Sequence, residues 1–330
     1  MKSLFNSLLF LTLVVLSQSA VAWDSVGHRL ATSIAFDYLE SDTKAQLLTI
    51  LQQHPRFQQD FIEVMPSSIS RGSSDARLEW LLGQASFWPD TARGFPEPER
   101  EKFNHSNWHY IDGAWIRGAA QIQGNIYVGI RQFKNINGER ASSTSRQTQI
   151  NNVMTALDFN THLLADQSAA PANRAVALCW VLHLVADIHQ PLHAGSLYSS
   201  KLFNRGDRGG NGIATDDGNL HAHWDRAFSN EGLAFHLQAQ REKQSQHPSA
   251  TISGAASDWS LWLAESRELL LTEVYTDAMQ REVRSAERES RGIHTIHLDN
   301  NYVVNMKNRA AERIQMAGLR LAIWFENELD

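Results

Sequence analysis

Two histidines and an aspartate lie close together near the middle of the 330-residue chain, at His183, Asp187 and His193. They follow an apolar, alanine-rich run, residues 175–182, which predicts a buried helix. Because residues four apart share one face of a helix, His183 and Asp187 should point the same way. Pro191 should end this helix and leave His193 on the loop beyond, free to return to that face. The pattern indicates either a metal site or a buried histidine–aspartate hydrogen bond.

A second pair with the same spacing, His221 and Asp225, favours the metal site. One such pair is common by chance, whereas two pairs with a third histidine ten residues after the first are much less so. Three further candidates are His28, Asp90 after an apolar helix, and His109 among aromatic residues. Each of these alone is also compatible with a structural role, so only their combination favours a metal site.

The first 22 residues have the pattern of a secretory signal peptide. Lys2 precedes an apolar run over residues 8–16, and Ala20 and Ala22 supply small side chains at the cleavage positions. The run is too short for a membrane span, and no later apolar stretch approaches that length. We therefore expect an exported, soluble protein whose mature chain begins at Trp23.

Residues 23–330 contain no linker rich in proline, glycine or serine, which predicts a single domain. The formal net charge is −6, so the chain lacks the broad basic surface of a protein that holds nucleic acid by its phosphates alone. Bound divalent cations are a local source of phosphate affinity in such a protein. The single cysteine, Cys179, allows no internal disulfide.

Helical periodicity dominates the chain and predicts an all-α fold with long loops. A glycine-rich stretch with one short candidate helix over residues 126–133 interrupts it, and clusters of Asp and Gly at 207–211 and 216–218 predict turns. Residues 91–107 are rich in charge, proline and glycine and should form a loop. The predicted helices cover residues 24–39, 41–51, 75–87, 148–164, 175–190, 219–228, 259–275 and 303–325.

Ordered segments along nearly the whole of residues 23–330 resemble the S1/P1 nuclease family of zinc-dependent secreted nucleases, which shares its fold with bacterial zinc phospholipase C. The segments are WDSVGH (23–28), WPDTAR (88–93), WHYID (108–112), HLVADIHQPLH (183–193), DRGGN (207–211), NLHAHWD (219–225), WLAES (262–266) and AGLRLA (317–322). The absence of disulfides points to a bacterial-type member, and residues 113–149 match the family poorly.

The resemblance implies three Zn²⁺ ions. Asp187 would bridge two of them, and the α-amino nitrogen and carbonyl oxygen of Trp23 would serve as ligands once the signal peptide is removed. Three Zn²⁺ ions carry six positive charges and three aspartates remove three. This leaves a charge of about +3 in one cleft of an acidic protein. The implied ligand sets are Asp90, His109, His183 and Asp187 for the first ion, Trp23, His28 and Asp187 for the second, and His193, His221 and Asp225 for the third.

The resemblance also implies roles for four residues around the metals. Asp90 would orient or activate the attacking water, and Arg93, three residues later, would contact the phosphate. Tyr110 would stack on a nucleobase and Asp112 would hydrogen-bond its edge, which favours unpaired bases and tolerates any sequence. The alternative is that Tyr110 packs in the core and Asp112 begins a turn before Gly113.

The expected function is a zinc-dependent phosphodiesterase that hydrolyses single-stranded DNA and RNA to 5′-nucleotides, with 3′-nucleotides as further candidate substrates. Nothing in the sequence indicates an obligate protein partner. One alternative is a zinc phospholipase C on the same fold, which would need an apolar rim for lipid. Another is a non-catalytic zinc-binding protein of the envelope, which would need closed metal coordination.

Overall fold

The computed structural model describes residues 23–111, 150–199, 201–246 and 258–329. This part of the chain is mainly helical, with one two-stranded sheet, which confirms the predicted all-α class. None of its helices is both long enough and apolar enough to cross a bilayer. The signal peptide, the candidate helix over 126–133 and Asp112 lie outside the described residues. The α-helices are α1 (Ser25–Tyr38), α2 (Ser41–Leu51), α3 (Ser67–Ser70), α4 (Ser74–Thr91), α5 (Glu99–Phe103), α6 (Val153–Ala165), α7 (Pro171–Ile188), α8 (Leu220–Asp225), α9 (Gly232–Gln246), α10 (Trp259–Leu269), α11 (Asp277–Glu289) and α12 (Asn300–Glu328).

Helix α7 lies at the centre of the fold. Pro171 occupies its first turn, where the missing N–H costs nothing, and every residue from Ala177 to Ile188 is buried. The helix packs against α6, α4, α2, α1, α10 and α12. It ends at Ile188, and a 3₁₀ turn, Pro191–His193, follows directly. The chain therefore turns at Pro191, as the sequence predicted. Both ends of the turn, Pro191 and His193, are buried.

Helix α1 begins at a side-chain cap and runs against α12. The Asp24 carboxylate accepts hydrogen bonds from the N–H groups of Val26 and Gly27, which satisfies donors of the first turn. Across the interface, a Cβ at Gly318 of α12 would lie 2.6 Å from the carbonyl oxygen of Ala31. Glycine is therefore what allows the two helix backbones to approach this closely.

Several predicted boundaries were wrong. Helix α4 continues through Pro89 to Thr91, because a proline in the last turn removes only one hydrogen bond. The predicted loop over 91–107 contains a 3₁₀ turn, Ala92–Gly94, and helix α5. The region predicted as helix over 259–275 is α10 followed by a π-helical turn, Leu270–Val274.

Helices α3, α9 and α11 and a small hairpin were also not predicted. In α11 the buried residues Met279, Val283 and Ala286 follow helical spacing but are separated by charged residues. Helix α9 carries no comparable apolar stripe. The antiparallel hairpin pairs β1 (Ala214–Thr215) with β2 (Gly218–Asn219) around the predicted turn, in which Gly218 has a φ of +100°.

We predict that Gly318→Ala lowers the free energy of unfolding by about 1–3 kcal/mol, because the new methyl group would overlap α1 at Ala31 and Ile34. Urea unfolding followed by circular dichroism measures the change. Gly292→Ala is the matched control, since Gly292 is exposed and no atom lies within 4 Å of a Cβ placed there. Equal effects of the two substitutions would contradict the close-packing argument.

Candidate metal centre

Imidazole and carboxylate groups from separate parts of the fold converge at the C-terminal end of α7. Helix α1 supplies one, α4 another, and the rest come from α7, the turn after it, α8 and the segment before residue 111. All of them are buried. Three sets of donor atoms lie close enough together to hold a metal ion: His28, Asp90 and His183; His109, His183 and Asp187; and His193, His221 and Asp225.

The first cluster contains His109, His183 and Asp187, with Asp90 beside them, and surrounds the Asp187 carboxylate on α7. Asp187 Oδ2 lies 3.1 Å from His183 Nε2 and 3.2 Å from His109 Nδ1. The two imidazole nitrogens are 2.7 Å apart. Asp90 approaches from α4, with its Oδ1 3.8 Å from His109 Nδ1 and 4.0 Å from His183 Nε2. The four side chains that the resemblance assigns to one ion are thus brought together.

The second cluster is centred on His28, which lies close to Asp90 and His183 and also faces the Asp187 carboxylate of the first cluster. His28 Nε2 lies 3.5 Å from Asp187 Oδ1, the oxygen that faces away from His109. The His28 ring stacks on His183 with centroids 3.9 Å apart. Trp23 is fully buried, and its indole N–H donates to the carbonyl of Ala186 at 3.0 Å, one residue before Asp187. The structure therefore ties the Trp23 side chain to α7 at the residue before Asp187.

The third cluster joins the turn after α7 to α8. His221 Nε2 lies 3.1 Å from Asp225 Oδ2, and His193 Nε2 lies 3.8 Å from Asp225 Oδ1. Gln190 donates its side-chain N–H to Asp225 Oδ1 at 2.7 Å. His193 Nδ1 also lies 3.8 Å from Asp187 Oδ1, so this cluster adjoins the other two.

Backbone carbonyls set the orientation of three of the imidazoles. His183 Nδ1 contacts the carbonyl oxygen of Ser86 at 2.8 Å, and His193 Nδ1 contacts that of His109 at 2.7 Å. His221 Nδ1 contacts the carbonyl oxygen of Gly209 in the same way. A carbonyl only accepts, so the proton must be on Nδ1 in each case. The Nε2 lone pairs therefore point into the clusters, which is the arrangement of metal-binding histidines.

Burial shifts the protonation equilibria of the centre strongly. It holds the pKa of His28, His109 and His193 well below the usual histidine range, and it lowers that of His183 to about 4. Burial also raises the pKa of Asp90 to about 6 and that of Asp187 well above its usual range. These are the directions for groups that have lost water. A divalent cation binds neutral imidazole and restores the ionised carboxylate.

His221 differs from the other imidazoles. Burial lowers the pKa of His221, but the charge and hydrogen bond of Asp225 and the Gly209 carbonyl outweigh it, and the pKa is raised. Among the described residues, His28 Nε2, Asp187 Oδ1 and His193 Nε2 are buried without a hydrogen-bond partner. Such atoms are costly unless a cation or another ligand satisfies them. The donor set therefore fits divalent metal ions.

The residues predicted to contact substrate lie at the edge of the centre. Arg93 Nη2 pairs with Asp90 Oδ1 at 2.7 Å, and 17 % of the Arg93 side chain is exposed. Tyr110 is 41 % exposed although its neighbour His109 is buried, so it is not a core residue. Asp112 lies outside the described residues.

The arrangement defines a class of protein: a helical scaffold that can hold several metal ions in one buried centre. The chain belongs to the S1/P1 nuclease family, whose sequence model matches residues 23–330. It is 23 % identical over 335 residues to Nuclease S1 of Aspergillus oryzae, and the alignment covers 95 % of this chain and 94 % of that protein. It is also 23 % identical over 321 residues to Endonuclease 3 of Arabidopsis thaliana, covering 94 % and 90 % of the two chains. Membership confirms the resemblance and supports a hydrolase of the nuclease type.

Sequence reasoning missed the groups that orient the ligands. The carbonyls of Ser86 and Gly209 are main-chain atoms, so no residue type announces them. Gln190 carries a weak signal, since it directly precedes Pro191 in a segment already identified. Gly209 lies in a predicted turn, and its φ of +57° explains the glycine there.

We predict that Gly209→Ala impairs metal binding at the third cluster. The new Cβ would lie 2.2 Å from the carbonyl oxygen of Leu192, so the turn must move and withdraw the carbonyl that orients His221. Metal content measured by plasma mass spectrometry should fall, together with thermal stability.

Gly232→Ala provides the control for backbone strain. Gly232 has a φ of +77°, but no atom lies within 4 Å of a Cβ placed there. It should lose about 1–2 kcal/mol of stability and keep its metal. Full metal content in Gly209→Ala would show that the turn does not position His221.

Proposed function

We propose that the protein is an exported zinc-dependent phosphodiesterase that hydrolyses single-stranded DNA and RNA to 5′-nucleotides and also acts on 3′-nucleotides. The observation that carries this proposal is the position of the Asp187 carboxylate. One of its oxygens faces His109 Nδ1 and His183 Nε2, and the other faces His28 Nε2. A buried carboxylate with imidazole nitrogens on both of its oxygens suits a bridging ligand of a metal pair.

The ligand chemistry favours zinc. Imidazole nitrogens and carboxylate oxygens, without thiolate, form the donor set of many catalytic zinc sites. Zinc bound there would supply a hydroxide-forming water and a Lewis acid for phosphoryl oxygens. We assign the ions as the family resemblance implies: Asp90, His109, His183 and Asp187 to the first; Trp23, His28 and Asp187 to the second; His193, His221 and Asp225 to the third. His28 also lies within reach of Asp90 and His183, so these side chains form one connected centre.

The amino terminus of the mature chain is part of this assignment. Cleavage after Ala22 would give Trp23 a free α-amine, which together with its carbonyl oxygen makes a chelating pair. Three contacts support the position: the indole bond to Ala186, the bond from Asp24 N–H to the Asp225 carbonyl at 3.0 Å, and the packing of Trp23 on Gly27. The residue is thereby tied to the helices that carry both Asp187 and Asp225.

Asp90 would position the attacking water, and Arg93 would bind the phosphate. The Asp90 carboxylate would accept a hydrogen bond from the attacking water and hold its oxygen toward phosphorus. Arg93 already pairs with Asp90 through one amino group, and a guanidinium has more donors than one carboxylate oxygen accepts. Its planar fork suits the charge that spreads over phosphoryl oxygens in the transition state.

Tyr110 is fixed beside the third cluster by two hydrogen bonds that involve His193. The carbonyl of His109 accepts from His193 Nδ1 at 2.7 Å, and Ile111 N–H donates to the His193 carbonyl at 2.8 Å. The backbone on both sides of Tyr110 is thus held at the third cluster, and its exposed ring offers a platform at the rim of the centre. Such a platform suits an unpaired nucleobase and argues against the apolar rim that a phospholipase C needs.

The deciding experiment measures zinc content and hydrolysis before and after chelation, then after zinc is restored. Single-stranded DNA, RNA, a 3′-nucleotide and phosphatidylcholine serve as substrates. We expect the nucleic acids and the 3′-nucleotide to be hydrolysed, with activity lost on chelation and recovered with zinc. Hydrolysis of phosphatidylcholine alone would support the phospholipase, and zinc binding without any hydrolysis would support the envelope protein. Nuclease activity that survives complete zinc removal would contradict the mechanism.

We predict that Tyr110→Ala weakens catalysis on single-stranded DNA, with kcat/KM reduced about 5–100-fold because one stacking contact of roughly 1–3 kcal/mol is lost. Tyr110→Phe keeps the ring and should retain most of the activity. Zinc content serves as the control and should match that of the unaltered protein in both variants. Equal activity of Tyr110→Ala and Tyr110→Phe would remove the stacking role.

A further inference from the structure

A second large concavity lies between α1, α4 and α9, on a different side of α1 from the metal centre. Its volume is about 780 Å³, within the range of small-molecule sites. None of its lining residues belongs to the metal clusters. The walls are mostly apolar and are formed by Ile69, Ala76, Trp80, Leu233, Ala234 and Leu237.

Arg29 is the polar group that distinguishes this cleft. It directly follows the ligand His28 on α1, but successive residues of a helix point about 100° apart, and Arg29 lines the cleft. Its guanidinium lies over the Trp80 ring, 5.6 Å from the centroid, and donates to the side-chain oxygen of Gln84. Within the described part of the chain, no carboxylate lies within ion-pair distance of Arg29. Burial lowers its pKa, and no acidic group raises it again.

Arg241, the other arginine of the cleft, is already paired with carboxylates. Arg241 pairs with Asp37 at 2.8 Å and with Glu79 at 3.0 Å. Glu242 accepts a hydrogen bond from the Gln238 side chain at 2.8 Å. Arg29 is therefore the arginine of this cleft that has no carboxylate of the described chain within ion-pair distance.

We propose that this cleft binds a small amphiphile with a single carboxylate, of the fatty-acid type. The carboxylate would meet the Arg29 guanidinium in a charge-assisted hydrogen bond. Ser33, one turn later on the same face of α1, also lines the cleft and offers a hydroxyl. The apolar chain would lie along Trp80 and Leu237. A dianionic phosphate ester fits less well, because Glu79 and Glu242 line the same cleft.

The test is isothermal titration calorimetry of the zinc-loaded protein with decanoate below its micelle concentration. We expect one molecule per chain to bind. Arg29→Met should weaken binding at least about tenfold, since a hydrogen bond to a charged group is lost. Arg29→Lys should weaken it less, because the charge remains. Decan-1-ol, which has the same chain without the charge, should bind at least about tenfold more weakly than decanoate.

A second variant keeps the proposal testable if Arg29→Met fails to fold. Ala234 is exposed on α9 and lines the cleft, so Ala234→Trp fills the cleft from its rim and should abolish decanoate binding while zinc content stays unchanged. Three results would overturn the proposal: no binding of decanoate, equal binding of decanoate and decan-1-ol, or equal affinity in Ala234→Trp. Displacement of decanoate by adenosine 5′-monophosphate would also overturn it, because the cleft would then be a nucleotide site.

Discussion

The structure depends on the burial of one carboxylate among imidazoles. Asp187 is fully buried, and burial alone would keep it protonated. Its two oxygens nevertheless face histidines from three directions, with α1, α7 and the segment at His109 all contributing. A cluster of this kind is costly in an apolar interior unless cations compensate it. Metal bound at this cluster would therefore be coupled to folding.

The surrounding helices are arranged to hold that cluster in a fixed geometry. Carbonyls of α4 and of the 207–211 turn orient His183 and His221. A charged network fixes the end of α7 from the opposite side: Arg313 of α12 donates to the His189 carbonyl at 3.2 Å, and Arg320 contacts His189 Nε2 at 2.8 Å. Glu265 of α10 pairs with both arginines. The longest helix of the described chain thus supports the turn that leads to His193.

Local patterns predicted the parts of this centre that local geometry decides. The spacing of His183 and Asp187 implied a shared face, and Pro191 implied the turn that follows. The convergence of His28 and His109 on that face depends on tertiary packing, so only the family resemblance indicated it. Helix α11 was missed because charged residues dilute its apolar stripe. The position of Arg29 beside Gln84 was not predictable from local patterns, since the two residues are 55 positions apart in sequence.

The bond between Asp24 and Asp225 has a consequence for the order of assembly. It joins the first described residues to α8, more than half the chain later. The donors of the centre extend from His28 to Asp225, and α12, which follows them, covers α1. A growing chain therefore holds all the donors of the first two clusters once residue 187 has been synthesised, whereas the third cluster lacks His221 and Asp225 until the chain reaches residue 225. Non-local contacts of this kind form late, so the third cluster is the last part of the centre to be completed.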